Sequence, residues 1–535
     1  MNRILHHRSL FVLLGLGLAL RLVLALVVFP GQGLSSDLGL FESWATTLAR
    51  VGPGAFYASA GSANYPPGYM YVLWAVGAAG QALGGQATLL LLKIPAIVAD
   101  IALAGLLYAA ARRWFGGRAG LLAAGLYLFV PVTWYDSALW GQVDAVGTLV
   151  MVAAIVLLVE GWSEPAAALG AFSVLVKPQD AIVLVVLVPV LVRRHLLRPN
   201  SGPVPSLGRR LTELNGHLGG LLTEQGPRRL ATAAAAAALA GILPLLPFDI
   251  ARSAPASLAD LPVIGQVAGL IGLFVSDGGQ FSYLTANAFN AWALVGDHAL
   301  ASIVGGSGGS WTADSLLVAG GIQAVTLGAL LLVGAGLLVA IGLLLRADRL
   351  AIILGFTLVA VAFYVLPTRV HERYLFPAFG GGALLAAAAL RSSWCYVGLG
   401  LLNTINLHAV LAGGLSVGGG GGFGGGGAAS GFGPGGGSTG SGAPGNSLGN
   451  RLGSGLGPGA GSGGGPGGGA GGGASSISLP FADFARSEPV VIAVALGQTL
   501  IFVGLLAAWL VVVLRPLLSG RRLPADEVGV PAGTA

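Results

Sequence analysis

The stretch "LPTRVHERYLFPAF", residues 366–379, sets Arg369, His371, Glu372 and Arg373 almost side by side. Long apolar runs, about 350–366 and 374–391, flank it. Asp, Glu, Lys and Arg make up only 9% of the chain, and 55% of it is hydrophobic. Apolar runs of roughly 18 residues or more recur along nearly the whole length, which predicts a polytopic helical membrane protein. A soluble core helix would carry a polar stripe, and most of these runs have none. A transmembrane barrel would show short alternating segments instead.

Outward from that turn, the predicted spans lie near 11–30, 88–111, 118–135, 141–160, 164–177, 179–195, 229–248, 316–345, 350–366, 374–391, 394–413 and 489–514. A further apolar run, about 66–85, is ambiguous by hydropathy, and charge resolves it. If 66–85 does not span, then "RRWFGGR" at 112–118, the 193–229 loop, Arg346 to Arg349, Arg391 and "RPLLSGRR" share the side of the N-terminus. The positive-inside rule therefore favours about twelve spans with both ends cytoplasmic. The first apolar run follows a basic start and reads as an uncleaved span, although Arg21 interrupts it.

The chain divides accordingly. Residues 1–411 read as one transmembrane domain with outer loops 31–87 and 249–315. Residues 412–475 are a Gly/Ser-rich outer insert, read as disordered because such a composition cannot bury a core. Residues 476–515 carry the last outer segment and the last span, and 516–535 form a cytoplasmic tail. The sequence pI near 9.7 does not signal nucleic-acid binding, because the basic residues gather in loops on one side of a bilayer. The one cysteine, Cys395, excludes an internal disulfide and a cysteine-based metal site.

Several short motifs fall on the predicted outer side. In "SSDLGLFESWATTLAR", Leu34, Leu38, Phe41, Ala45 and Leu48 recur at helical spacing, which predicts an amphipathic helix in the outer interface. Ser36 reads as its N-cap, so Asp37 lies in the first turn, where the helix dipole favours a negative charge. Glu42 is about 140° around the helix from Asp37, so the two do not form a dyad. "NYPPGYMYVLW" starts a helix at its prolines, and Tyr65, Tyr69, Tyr71 and Trp74 read as an aromatic belt.

"WYDSALWGQVDAV" puts Asp136, Gln142 and Asp144 at the outer ends of two spans, and Trp134 and Trp140 are either belt residues or a sugar-stacking platform. In "VLVKPQDAIV", Lys177 is one of only two lysines, the other being Lys93. Its ammonium needs a partner, for which a phosphate or Asp180 would serve, and Gln179 lies beside it. In "FSYLTANAFNAWAL", Asn287 and Asn290 alternate with aromatics at helix-compatible spacing that suits sugar hydroxyls or a packed cap. Arginine suits bidentate phosphate binding, and snorkelling explains at most one or two of the charges at 369–373. A metal site is not expected, since "HE" here lacks the second histidine of HExxH.

Taken in order, "SDLGLFESW", "YPP", "WGQVD", "KPQ", "NAFNAW" and "HERYLFP" resemble the GT-C superfamily of integral-membrane glycosyltransferases that use polyprenyl-phosphate sugars. The likeness is nearest to prokaryotic proteins related to the second mannosyltransferase of GPI-anchor assembly. The dolichyl-phosphate-glucose-dependent glucosyltransferases come next. The resemblance implies an all-α GT-C-like fold with Asp37 as catalytic base. It places the cluster Arg369, His371, Glu372 and Arg373 and the lysine turn with Lys177 and Gln179 near the donor phosphate; Gln142, Asp144, Asn287 and Asn290 complete the candidate donor or sugar contacts. It also implies inversion at the anomeric centre, no cofactor, and no essential metal. The implied partners are a polyprenyl-phosphate sugar, a lipid, glycan or protein acceptor, and the bilayer, with the site on the extracytoplasmic face of the cell membrane. Two alternatives stay open at this point. One is a transporter or flippase, for which Lys93 and Asp100 within one span are the only pointers. The other is a glycan ligase or polymerase using a lipid-diphosphate donor.

Overall fold

The computed structural model describes residues 2–61, 63–84, 88–198, 206–295, 312–412, 415–416 and 479–515. The 412–475 insert and the 516–535 tail lie almost wholly outside the described residues. The principal helices are α1 (Asn2–Leu22), α2 (Ser35–Val51), α3 (Pro67–Ala82), α4 (Thr88–Phe115), α5 (Gly117–Phe129), α6 (Asp144–Val159), α7 (Ser163–Val176) and α8 (Leu184–Val192). They continue with α9 (Pro227–Ile242), α10 (Ile264–Gln280), α11 (Ala324–Leu345), α12 (Arg349–Val365), α13 (Pro377–Ala388), α14 (Ser392–Leu411) and α15 (Glu488–Trp509).

Each predicted span contains helix, although the one placed at 316–345 is helical only from Ala324, residues 316–323 forming a bridged turn. Among the described residues, six helices are long and apolar enough to cross a membrane: Arg8–Val28, Leu90–Phe115, Pro227–Leu245, Ala324–Leu345, Ser392–Leu411 and Glu488–Val513. A seventh candidate, Gly117–Phe129 with Pro131–Trp140, is bent by 52°. Pro131 lacks the N–H that would continue the helix, so the chain turns there. The others are shorter. Helix α12, about 26 Å long, is buried on almost every side between α8, α11, α13 and α15, which explains its lack of a polar stripe. Helix α3, about 24 Å long, falls short of the roughly 30 Å hydrocarbon core.

Polar contacts gather at both ends of α6 and α7. At one end of the bundle, Arg113 pairs with Glu160, Arg229 with Glu164, and Arg346 with Asp348. At the other end, the segments around Asp37, Gln142, Lys177 and Arg373 meet. The two loops predicted to share that end also meet each other. Asp249 accepts from the backbone N–H groups of Tyr57 and Ala58, and Asn64 donates to Asp277 at 2.6 Å.

The α2 helix begins at Ser35, with extended Leu34 before it, and no side chain caps it. Ser36 is therefore inside the helix and is not the N-cap, while Asp37 keeps its place in the first turn. The apolar face is not turned to lipid. Leu38, Phe41, Trp44, Ala45 and Leu48 pack against α3, and burial of the larger aliphatic and aromatic chains contributes about 1.5–3 kcal/mol each. The crossing is tight because Gly77 faces the Ala45 carbonyl, and a Cβ there would lie 2.0 Å from that oxygen. Tyr65 and Tyr69 join this cluster against Phe41 and Trp44, so they are core aromatics and not belt residues. Trp74 alone of that group is substantially exposed.

Arg21, the charge that interrupts the first apolar run, is fully buried. Its Nε lies 2.7 Å from Asp100 Oδ2, and its other nitrogens reach the carbonyls of Gly17 and Leu128 and the hydroxyl of Thr133. Asp100 also accepts from Tyr127 and Ser137, each at 2.6 Å. Lys93, two helical turns before Asp100, donates to the carbonyls of Ala138 and Leu139. These charges tie α1, α4 and the bent segment together, and the pair that hinted at a transport path is a structural clamp. Arg21→Met alone should destabilise by about 3–5 kcal/mol, because it strands Asp100. The double variant Arg21→Met/Asp100→Leu should recover most of that loss. Thermal unfolding midpoints of the four proteins in one detergent check this; a double variant as unstable as the sum of the singles would contradict it.

Candidate active site

Asp37 is the centre of the site. Its Oδ2 accepts from the Trp140 indole N–H at 2.9 Å and from the Gln142 amide at 2.5 Å. Its Oδ1 has no hydrogen-bond partner among the described residues, and the side chain is 17% exposed. One oxygen is thus fixed and the other is left to accept a proton.

The two donors flank Gly141. That residue has φ 85°, in the left-handed region that glycine adopts without cost, and a Cβ there would sit 2.7 Å from Leu38. The turn brings Trp140 and Gln142 onto the same carboxylate oxygen. Trp140 is fully buried, so it fixes Asp37 and offers no stacking face to a sugar.

Gln142 also links Asp37 to Lys177, whose Nζ lies 3.3 Å from the Gln142 carbonyl oxygen. Lys177 does not pair with Asp180. It pairs with Asp144, with Nζ to Oδ1 at 2.7 Å, because Asp144 at the start of α6 faces the turn that ends α7. The ammonium also lies 5.5 Å from the Tyr65 ring centre, a cation–π contact. Burial raises the Tyr65 phenol above its ordinary range, against the charges of Lys177 and Arg373. Tyr65 therefore remains neutral. Nothing in "YPP" marked it as part of the site.

Arg373 closes the ring of charges. Its Nη1 is 2.9 Å from Glu372 Oε1 and 3.7 Å from Asp37 Oδ2, and its Nε is 4.0 Å from Asp144 Oδ2. That Nε and the second oxygens of Asp144 and Glu372 are buried without a hydrogen-bond partner among the described residues. The Glu372 carbonyl accepts from Asn403 at 2.9 Å, which anchors the turn to α14.

The other predicted residues are placed differently. Arg369 points to Asp314, at 2.5 Å, and to the Gly278 carbonyl, so it ties the turn to the outer loop and is not one of the cations around Asp37. His371 packs edge-on against Phe281 and near Tyr374. Burial, then the charges of Arg373 and Lys177, push its pKa well below the ordinary histidine range, so it is a neutral hydrogen-bonding group and not a cation for phosphate. Gln179 is half-buried and makes no hydrogen bond among the described residues.

The segment holding Asn287 and Asn290 is not helical before residue 291. Asn287 has φ 70° and bridges to His371 through the backbone. Asn290 is fully buried; its amide donates to the carbonyls of Tyr364 and Pro367 and its oxygen accepts from Trp292. Its hydrogen-bonding capacity is spent on the fold, so it is not available to sugar hydroxyls.

The fold and site define a polytopic helical membrane protein with a half-open carboxylate beside the partly buried Arg373 and, through Gln142, the buried Lys177. Residues 64–208, which include Gln142, Asp144 and Lys177, match the family described as dolichyl-phosphate-mannose-protein mannosyltransferase. That match agrees with the GT-C resemblance drawn from the motifs. No curated protein matches the chain at a significant level. Two solved structures of the Archaeoglobus fulgidus oligosaccharyltransferase are similar over 74% of this chain. One is the apo form (14% identity, TM-score 0.37, 52% of that chain). The other is a complex with an inhibitory peptide and a dolichol-phosphate (13% identity, TM-score 0.36, 51% of that chain). The chain spans about half the length of these proteins, and likenesses this loose carry no argument about the site.

Burial pushes the Glu372 carboxyl up to about 7, against the opposing charge of Arg373. Below that pH Glu372 is neutral and no longer offsets Arg373; above it the offset returns. An anion held by Arg373 should bind more weakly as the pH rises from about 6 to about 8. Binding of dodecyl methyl phosphate, a phosphodiester whose charge is constant over this range, measures the effect. Glu372→Gln should abolish the pH dependence and keep the tighter binding; an unchanged profile would exclude Glu372 as its source.

Proposed function

We propose that the chain is an inverting glycosyltransferase that moves a sugar, mannose, from a polyprenyl-phosphate donor to an acceptor hydroxyl on the extracytoplasmic face. The observation that carries this reading is the state of Asp37. One oxygen is held by Trp140 and Gln142, the other is free, and two cations stand within the same network.

An inverting transfer needs one carboxylate to take the acceptor proton while the leaving group departs from the opposite face of the sugar. Asp37 Oδ1 takes the proton. Holding Oδ2 fixes the direction of attack without using up the base. The departing lipid phosphate gains negative charge as the glycosidic bond breaks. Arg373 retains unused donors for that charge, and Lys177 adds a second positive centre behind Gln142 and Tyr65. In the free protein both cations are balanced by Asp144 and Glu372, so the site is stable before the anion arrives. Neutral His371 and Arg369 position the turn that bears Arg373.

The family match supports mannose as the sugar, since the matching family is named for dolichyl-phosphate-mannose. The separation of basic loops from the Asp37 end supports the extracytoplasmic side under the positive-inside rule.

Asp37→Asn should lower transfer of radiolabelled mannose from polyprenyl-phosphate-mannose about 10²–10⁴-fold in membranes, with expression unchanged. Full transfer by Asp37→Asn would remove Asp37 as the base. Transfer from polyprenyl-phosphate-glucose or -arabinose but not from the mannose donor would change the sugar alone. Gln142→Leu should also slow transfer, about tenfold or more, by releasing the fixed oxygen of Asp37.

A further inference from the structure

A second polar feature lies beside the site and takes no part in the chemistry above. It is a cavity of about 470 Å³ between the two outer loops, lined by Tyr57, Asn64, Arg252, Ser253, Ser276 and Asp277 among others. That volume falls within the range of small-molecule sites. Asn64 comes from the first outer loop, and Arg252 to Asp277 come from the second, so the cavity exists only where the loops meet.

Its walls are tied to the catalytic network by hydrogen bonds and packing. Tyr57 donates its hydroxyl to the Tyr65 carbonyl, and the Tyr65 ring faces Lys177. Gly278, the residue after Asp277, accepts from Arg369, and Phe281 packs on His371. The end of α10 is therefore fastened to the turn that carries Arg373.

The lining is wrong for a polyprenyl chain, which needs an apolar wall. It suits a molecule with many hydroxyls, each of which both donates and accepts. Asp277 has one oxygen on Asn64 and a second that, among the described residues, accepts no hydrogen bond. Arg252 is half-exposed and only loosely paired, 3.7 Å from Asp249. The serines at 253 and 276 add two-way hydroxyls. Leu273 is the one large aliphatic side chain of the lining, so the cavity lacks the apolar pockets that would hold the side chains of a peptide.

We infer that this cavity is the acceptor subsite and that the acceptor is a glycan, whose sugar rings are held by Asp277, Asn64 and Arg252 while one hydroxyl reaches Asp37. The inference rests on the transferase reading for its role, but the cavity's preference for sugars can be tested without turnover.

The experiment uses the full-length protein in nanodiscs and two probes, mannotriose and a serine/threonine-rich peptide. Saturation-transfer NMR reads binding with no donor present. Wild type should bind mannotriose, and Asp277→Leu and Asn64→Leu should each lose that signal. With polyprenyl-phosphate-mannose present, the same substitutions should raise the KM for mannotriose about tenfold and move the donor KM less than about twofold. Arg252→Ala, at a half-exposed position, repeats the test with little risk to folding. Undiminished mannotriose binding in all three variants, or binding and transfer to the peptide alone, would overturn the inference and leave the transferase reading intact. Mannotriose binding that depends on Asp277 with no transfer from any monophosphate donor would overturn the transferase reading and keep the site as a sugar-binding one.

Discussion

A charge taken out of water has to be paired, and in this chain that constraint fixes both the bundle and the site. Arg21 meets Asp100, Lys177 meets Asp144, and Arg373 meets Glu372 with Asp37 beyond it. A lone buried ion costs several kcal/mol even after relaxation, so each pair dictates which helix ends must come together. The Arg21–Asp100 pair does this with every partner satisfied, which suits a clamp. The pairs around Asp37 leave specific atoms open: Asp37 Oδ1, Asp144 Oδ2, Glu372 Oε2 and Arg373 Nε. The same physics makes one network inert and the other receptive.

The turn at 366–373 is held with unusual rigour for an irregular segment. Asn290 donates to the Pro367 carbonyl and Trp292 to that of Leu366, Asn403 donates to the Glu372 carbonyl, Arg369 reaches Asp314, and the backbone bridges to residues 286 and 287. Arg369 has φ 65°, in a region that non-glycine side chains rarely adopt, at a cost of order 1–3 kcal/mol. The ties around it sustain that strain. A cation held so firmly needs little reorganisation when charge develops beside it, which is the useful property of a preorganised site.

Much of this was readable in the residues. The apolar runs marked the helices because hydrocarbon tolerates no unpaired backbone, and each run carries one, with residues 316–323 ahead of Ala324 the part that does not. Asp37 in the first turn of its helix, Lys177 at its turn and the charged cluster after Pro367 were all visible as expensive residues in an inexpensive setting. The roles within the cluster were not. Arg369 and Arg373 are alike in sequence, four apart, yet one faces Asp314 and the other Asp37, because the turn between them reverses direction. Asn290 looked available for sugar hydroxyls and is spent on the fold. Tyr65 looked like a belt residue and instead faces Lys177. Lys177 needed an acid, and only the packing of α6 against α7 chose Asp144 over the nearer-in-sequence Asp180.

The sequence alone determined the class of solvent, the helical content, the two-sided distribution of charge, and which few polar residues had to be explained. Those follow from composition and period, which are local quantities. Only the tertiary structure decided which acid pairs with which base, which oxygen of Asp37 is left open, and where the two outer loops enclose a polar cavity. Those depend on distances of a few ångströms between residues up to some 300 positions apart in the chain, as from Asp37 to Arg373. In a low-dielectric interior a change of a few ångströms decides whether a charge is a clamp or a ligand.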